Sequence, residues 1–303
     1  MSPERRRRTV EKVRRRLGEG KVSQRRACRA LGQPRSTQRY RAKRPDMDRR
    51  LLEEMRRLVE SFPRYGSERV HQILVGTGWR VNFKRVHRLW KQEHLQVPIK
   101  QHRRRRLPGS SEQGCVRHRA RRPNHVWSYD FLADRTEDGR QLKLLAVIDE
   151  FTRECLAIEV GRTFTSRDLK LTLQYLFAIR GAPEHVRSDN GPEFIAKEIR
   201  QWLDRASVGT LYIEKGSPWE NGYVESFISR LRDELLNREL FLSLPEARCV
   251  LDEWREHYNE VRPHSGLRWR TPWAFAASLA APSVGAPPLP PDQPAGQTQV
   301  ILS

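Results

Sequence analysis

The sequence predicts an all-helical, basic front part followed by an α/β part built on a mixed sheet of five strands. Charge is divided unevenly along the 303 residues, because residues 1–123 hold 37 basic and 11 acidic side chains whereas the remainder holds 21 and 26. Apolar residues recur at helical spacing before residue 96, and from residue 126 short apolar or alternating runs are interleaved with helical ones. The net charge of +21 favours a polyanionic partner.

The first basic segment, residues 1–45, predicts two short helices. Ser23 is placed to cap one helix, which Gly32 would end, and Ser36 is placed to cap a second. Two short helices around a turn that contains glycine fit a helix-turn-helix. A basic helical hairpin exposed to solvent fits the same pattern equally well.

Residues 46–95 predict a three-helix DNA-binding domain that is similar to a helix-turn-helix. Ser67 and Asn82 are placed to cap its second and third helices, and the third has an apolar stripe. The basic side chains that would then point outward are Lys84, Arg85, His87, Arg88 and Lys91. This is the arrangement that a recognition helix needs in a major groove. The alternative is a three-helix domain with a hydrated basic face, but the charge of the whole region favours DNA binding.

Residues 96–123 show no hydrophobic period and predict a basic linker. Its candidate DNA-binding residues are Arg103, Arg104, Arg105 and Arg106. The charge suggests that the linker lies along phosphates, although a merely soluble tether would look much the same. Toward the other end, residues 241–280 predict a helical extension opened by a capping box at Ser243, and residues 281–303 predict a disordered tail.

Residues 124–240 predict the α/β part. Alternation or apolar runs predict strands over residues 126–132, 142–148, 155–160, 185–188 and 211–213. Helices are predicted between Thr165 and Gly181, around residues 194–203, and after Asn221. This order of elements is that of a ribonuclease-H-like layer, in which the first and fourth strands are neighbours.

Three carboxylates stand out in this part. Asp130 interrupts an aromatic, apolar strand, Asp189 ends the fourth strand, and Glu225 lies near the start of a helix. The predicted topology allows them to converge, and three acids suit hard divalent cations that activate water or a hydroxyl against phosphodiesters. Singly each is weak evidence, because such residues are commonly turn or surface residues. Asp149 and Glu193 are the competing acids.

Five stretches carry a resemblance to a known family. They are Trp127-Ser128-Tyr129-Asp130, Val147-Ile148-Asp149-Glu150-Phe151-Thr152-Arg153, Ser188-Asp189-Asn190-Gly191-Pro192-Glu193-Phe194, Ser217-Pro218-Trp219-Glu220-Asn221-Gly222 and His257-Tyr258-Asn259. With them the chain resembles, over about residues 20–275, the DDE-type transposases of bacterial insertion sequences. More narrowly, it resembles the second-reading-frame product of the insertion-sequence-three family, kin to retroviral integrases.

The family's pattern of three acids is met by Asp130, Asp189 and Glu225, with 35 residues between the last two. Its basic residue seven positions after the glutamate is met by Arg232, a candidate phosphate contact. The resemblance implies a ribonuclease-H-like integrase core behind a helix-turn-helix region. It also implies that the three acids hold two Mg²⁺ ions, for which Mn²⁺ can substitute.

The activity that the resemblance implies is Mg²⁺-dependent cleavage at insertion-sequence ends, followed by attack of the freed 3′-hydroxyl on another phosphodiester. The implied partners are double-stranded DNA at inverted-repeat ends and target sites, further copies of this chain on that DNA, and an upstream-frame product. Two alternatives remain open. A metal nuclease on the same fold would cut without joining, and a DNA-binding regulator derived from a transposase would bind without cutting.

The composition also bounds the compartment. The four cysteines are far apart, with no Cys-x-x-Cys pair, so neither a zinc ribbon nor a disulfide framework is predicted. No apolar run approaches about 18 residues, which argues against membrane insertion as the reason for the basic charge. We therefore expect a bacterial cytoplasmic protein associated with the nucleoid.

Overall fold

The computed structural model describes residues 3–18, 20–40, 45–97, 119–188, 197–212 and 221–280. Two compact units divide between Glu60 and Ser61. The linker residues Arg103 to Arg106, the acids Asp189 and Glu193, and the tail after residue 280 lie outside the described residues.

The first unit is helical. Its helices are α1 (Pro3–Leu17), α2 (Gln24–Ala30), α3 (Arg35–Arg39) and α4 (Pro45–Ser61). The predicted cap at Ser23 is confirmed, since its side chain accepts a hydrogen bond from the Arg26 amide. The predicted cap at Ser36 is wrong, because Pro34 takes the N-cap position and Ser36 lies inside the first turn. Helix α1 was not predicted; it contributes Val10 to a small core.

The second unit begins with α5 (Ser67–Gly76) and α6 (Phe83–Gln92). Asn82 caps α6 as predicted, through a 2.8 Å hydrogen bond from the Lys84 amide to its side-chain oxygen. The predicted cap at Ser67 is wrong, because Gly66 occupies that position without a side chain to offer.

A mixed five-stranded sheet follows. Its strands are β1 (Val126–Arg135), β2 (Gln141–Asp149), β3 (Cys155–Gly161), β4 (His185–Ser188) and β5 (Gly209–Tyr212). Their order is β3-β2-β1-β4-β5. β1 and β2, and β2 and β3, are antiparallel, whereas β1 and β4, and β4 and β5, are parallel. The predicted sheet is confirmed, including the adjacency of the first and fourth strands.

Helices cover both faces of this sheet. One core combines Trp127, Tyr129, Leu145 and Val147 with apolar residues of α7 (Ser166–Arg180) and α8 (Lys197–Arg205). The other combines the alternate strand residues, among them Leu132, Leu144 and Ile148, with α9 (Gly222–Leu231) and α10 (Leu244–Glu260). A π-helical turn (Arg232–Leu236) extends α9, a 3₁₀ turn (Ser265–Leu267) follows α10, and α11 is Pro272–Ala280.

The predicted caps of these later helices are confirmed at Thr165, Ser243 and Thr271. In the part of the chain that the structure describes, none of the helices combines the length and the apolar character that crossing a bilayer requires.

Candidate active site

Asp130 lies on β1 and belongs to the face of the sheet that α9 covers. Strand alternation puts Leu132 on this face and Trp127 and Tyr129 on the opposite one. The Asp130 side chain is half-buried, and its Oδ1 accepts a 2.7 Å hydrogen bond from the Phe131 amide. An acid in an otherwise apolar strand is thereby held at a partly open position.

Glu225 lies in the first turn of α9 and is exposed. Val224, Phe227 and Leu231 bury the other side of the helix against the sheet. A carboxylate in the first turn is stabilised by the helix dipole, which favours the ionised form. The helix therefore anchors itself by its apolar side and leaves Glu225 accessible.

Two contacts fix how α9 runs along β1. Near its start, Tyr223 and Ser226 line a cavity together with Ile148, which pairs with Ser128 on β1. Just after its end, the Arg232 guanidinium approaches the Ala133 carbonyl at 3.4 Å. The helix thus follows β1 in the same direction, and Glu225 and Asp130 both lie between these two contacts.

Strand β4 supports the third candidate acid. Its described part ends at Ser188, directly before Asp189, and it pairs in parallel with β1, with Arg187 opposite Ser128. The structure thus brings together the elements that carry or precede all three candidates. It describes the positions of Asp130 and Glu225.

A buried charged group ties these strands together. Arg187 is 4% exposed and its Nε lies 3.0 Å from the Glu150 carboxylate, which is also buried. The Ser128 hydroxyl donates to the same carboxylate oxygen. The sequence analysis assigned no role to Arg187 or Glu150. The signal was available, because a charged residue inside a four-residue apolar strand must find a partner.

Asp149, a competing acid, is engaged in the turn after β2. Its carboxylate accepts hydrogen bonds from the amides of Asn124 (2.7 Å), Phe151 (2.7 Å) and Thr152 (2.9 Å). These bonds hold the turn and occupy both oxygens, which gives Asp149 a structural role.

A second group of possible metal ligands lies elsewhere in the sheet. His125, Glu184 and His185 have candidate ligand atoms within 4.8 Å of one another. They stand at the start of β1 and β4, whereas Asp130 lies further along β1. The Arg122 guanidinium contacts Glu184, and the Arg121 amide donates to His125 Nδ1 at 3.1 Å. This group is separate from the candidate acids.

The chemistry of the candidate acids fits divalent metal. Asp130 and Glu225 offer carboxylate oxygens, the ligands that Mg²⁺ prefers, and both are accessible enough to leave room for water or substrate. His264 is buried and its pKa is lowered to about 2, mainly by burial and then by the Arg262 charge. It stays neutral, in keeping with a reaction in which it is not the general base.

The candidate DNA-binding residues of α6 form one stripe. Lys84, Arg88 and Lys91 are exposed at helical spacing, whereas Arg85 is half-buried. Val86, Leu89 and Trp90 are buried on the other side of the helix, as predicted. Arg232 is exposed beside Ala133.

Comparisons with known sequences agree with this architecture. Two families described as integrase core domain match residues 120–218 and 206–272, and one described as HTH-like domain matches residues 46–105.

An uncharacterized 31.7 kDa protein of insertion element IS407 from Burkholderia multivorans is 39% identical over 268 residues, covering 86% of this chain and 92% of that protein. A 39.2 kDa protein of insertion element IS476 from Xanthomonas euvesicatoria is 35% identical, covering 92% of this chain and 78% of that protein. The transposase of insertion sequence element IS904 from Lactococcus lactis is 29% identical, covering 76% and 94%.

The fold and these matches define an integrase-core enzyme of the polynucleotidyl transferase type, with a helix-turn-helix-like region and DNA as its partner. Within that class, the chain belongs to the DDE insertion-sequence transposases of the IS3 type. The predicted family and fold class are confirmed.

Proposed function

We propose that this transposase cleaves DNA at insertion-sequence ends and transfers the freed 3′-hydroxyl to target DNA, using Asp130, Asp189 and Glu225 as ligands of two Mg²⁺ ions. The observation that carries the proposal is the packing of α9, with Glu225 in its first turn, on the face of β1 that bears Asp130. When bound, such a pair of ions activates the attacking oxygen and stabilises the leaving one.

The register between β1 and β4 supports the inclusion of Asp189. Ser128 pairs with Arg187, so two further residues of the same parallel register would set Asp189 beside Asp130. Alternation would direct both side chains to the face that α9 covers, since positions two apart share a face. Asp189 is the residue of this proposal that lies outside the described part of the chain.

The reaction balances in two phosphoryl transfers. In the first, a water oxygen bonds to the phosphorus at the element end, the bond to the 3′ oxygen breaks, and a free 3′-hydroxyl results. In the second, that 3′ oxygen bonds to a target phosphorus and displaces the target's own 3′ oxygen. Asp130, Asp189 and Glu225 act as ionised ligands in both steps, and Mn²⁺ is expected to replace Mg²⁺.

The DNA itself is proposed to be bound as a duplex by α6, with the stripe of Lys84, Arg88 and Lys91 in a major groove. Arg103 to Arg106 and Arg232 are proposed as phosphate contacts. Several copies of this chain would assemble on the inverted-repeat ends and the target, together with an upstream-frame product. A DNA substrate of this kind supports the expectation of a bacterial cytoplasmic location.

The test measures Mg²⁺-dependent cleavage and joining of labelled element ends by Asp130→Asn, Asp189→Asn and Glu225→Gln variants. Each should lose both activities while still binding the ends. Asp134→Asn is a matched control, because Asp134 shares the strand and face of Asp130 and its Oδ1 likewise accepts from the next amide, at 2.8 Å.

The outcomes separate the alternatives. A control variant that keeps activity while the three acid variants lose it supports the assignment. Cleavage by the wild-type protein without joining would indicate a metal nuclease, and end binding without cleavage would indicate a regulator. An active triple variant would refute the role of the acids.

A further inference from the structure

A cavity of about 360 Å³ opens beside the first half of α9. Four arginines from separate parts of the chain line it: Arg69 of α5, Arg153 of the turn between β2 and β3, Arg230 of α9, and Arg262 after α10. Exposed Ser265 and Gly266 also border it. A convergence of guanidinium groups at one cavity is an arrangement that needs an explanation, because like charges repel.

The carboxylates near this cavity do not balance its charge. The described lining includes no acidic residue. Glu234 reaches two of the arginines from outside the lining: Arg262 donates to it at 2.8 and 2.5 Å, and Arg69 lies 3.8 Å away. One carboxylate therefore faces four guanidinium groups.

Arg230 and Arg153 are held by neutral groups. Arg230 donates through Nη1 to the Ser226 carbonyl and hydroxyl, each at 2.8 Å. The Arg153 guanidinium lies over the Tyr223 ring at 3.7 Å, and its buried Nη1 has no hydrogen-bond acceptor among the described residues. A buried donor left unsatisfied is unfavourable, so an acceptor is expected to occupy the cavity during function.

The remaining titratable group at the cavity is neutral. His264 keeps its imidazole uncharged because burial and the nearby Arg262 lower its pKa. Burial also lowers the pKa of Arg69 and of Arg230, and the Arg262 charge adds to the effect in both. The cavity is thus preorganised for an anion that accepts several hydrogen bonds.

We propose that the cavity binds a phosphate of the DNA backbone close to the phosphodiester that reacts. This inference rests on the proposed function, because the position of the cavity gives it its meaning. Ser226 and Arg230 lie one and five residues after Glu225 on α9, and Ser226 is about 100° around the helix from it. A strand whose reacting phosphate meets Glu225 would pass the mouth of the cavity. Guanidinium groups bind phosphate oxygens in a bidentate fashion, which suits this role.

The first experiment measures the salt dependence of DNA binding by the full chain in EDTA, so that no cleavage occurs. Arg153→Gln is the main variant, since its guanidinium contacts the Tyr223 ring and its loss leaves the pairing of Glu234 intact. Arg230→Gln is the second. Arg248→Gln is the matched control: Arg248 is exposed on α10 and donates to a backbone carbonyl, that of Val160, at 3.0 Å.

Loss of one phosphate contact should lower the slope of log K against log salt by about 0.9. We expect this reduction for Arg153→Gln and for Arg230→Gln, with Arg248→Gln at the wild-type slope. If all three variants keep the wild-type slope, the proposal is overturned. Because the assay uses no metal, its result is independent of whether Asp130, Asp189 and Glu225 are catalytic.

A second measurement uses the wild-type protein and therefore does not depend on how the variants fold. Arginine-specific chemical modification, read by mass spectrometry, should be slowed at Arg153 and Arg230 by bound DNA. Inorganic phosphate is the competing probe, compared with chloride at equal ionic strength. Protection by DNA supports the proposal. Protection by inorganic phosphate alone identifies a site for a free anion and overturns the assignment to DNA.

Discussion

The buried pair of Arg187 and Glu150 gives the sharpest prediction about stability. Glu150→Gln keeps the shape of the side chain but removes the charge that faces a guanidinium only 4% exposed. Breaking a buried ion pair from one side costs about 3–5 kcal/mol, because the remaining charge stays desolvated without a partner. We expect the free energy of unfolding to fall by about that amount.

The assay is urea unfolding, followed in parallel by Trp fluorescence and far-UV circular dichroism. Asp252→Asn is the control, because Asp252 forms an ion pair with Arg255 at 2.7 Å while its side chain is 63% exposed. Such a pair is worth about 0–1 kcal/mol.

The double variant Glu150→Gln with Arg187→Met should recover part of the loss, since it removes the buried charge as well. The reasoning is refuted if Glu150→Gln costs no more than Asp252→Asn, or if the double variant is as unstable as the sum of the two single variants.

Three further outcomes follow from the structure. The folded-state pKa of His264 is about 2, well below its ordinary value; as pH falls below about 6.5 the unfolded state takes up a proton that the folded state does not. Stability should therefore fall by up to about 1.4 kcal/mol per pH unit, and His264→Gln should flatten this dependence in urea unfolding from pH 7 to 5. Leu231→Ala, at a fully buried position, should cost about 2–5 kcal/mol in the same assay. Neutral substitution of Lys84, Arg88 and Lys91 should each lower the salt slope of DNA binding by about 0.9 per phosphate lost, and an unchanged slope in all three would exclude α6 from the interface.

The sequence predicted the sheet well because its strands carry strong local patterns. β2 is a near-continuous apolar run, as expected for a strand covered on both faces, and β1 alternates. The adjacency of β1 and β4 followed from the order of elements, which few topologies satisfy. Asp130 on the face of α9 then followed from strand alternation alone.

Helix starts were predicted less well, because a cap depends on the backbone before the helix. Ser23 and Ser243 follow residues that allow an extended N-cap, and both cap as predicted. At Ser36 and Ser67 the preceding residue takes the cap position instead, which moves the serine into the first turn. Asn221 was predicted on an outward polar stripe, but it is only 2% exposed, since it lies just before α9 rather than along its free side.

The arginine cavity could not be read from the sequence. Arg69, Arg153, Arg230 and Arg262 are separated by long stretches of chain, and each looks like an ordinary surface cation in its local pattern. The part of the chain after residue 123 is even slightly acidic in total, with 21 basic and 26 acidic residues. A net charge therefore hides a local excess of the opposite sign, which appears only when the fold brings distant residues together.

Helix α9 explains how both signs of charge coexist at such short range. Its apolar side packs on β1 and β2, Glu225 faces outward, and Ser226 and Arg230 face the cavity. The π-helical turn that follows places Glu234 where it can pair with Arg262 while Leu235 remains in the core. Carboxylates for cations and guanidinium groups for phosphates are thus mounted on different sides of one rigid element. A strand of DNA needs both, because the reacting phosphate must meet cations while its neighbours are held by cationic side chains.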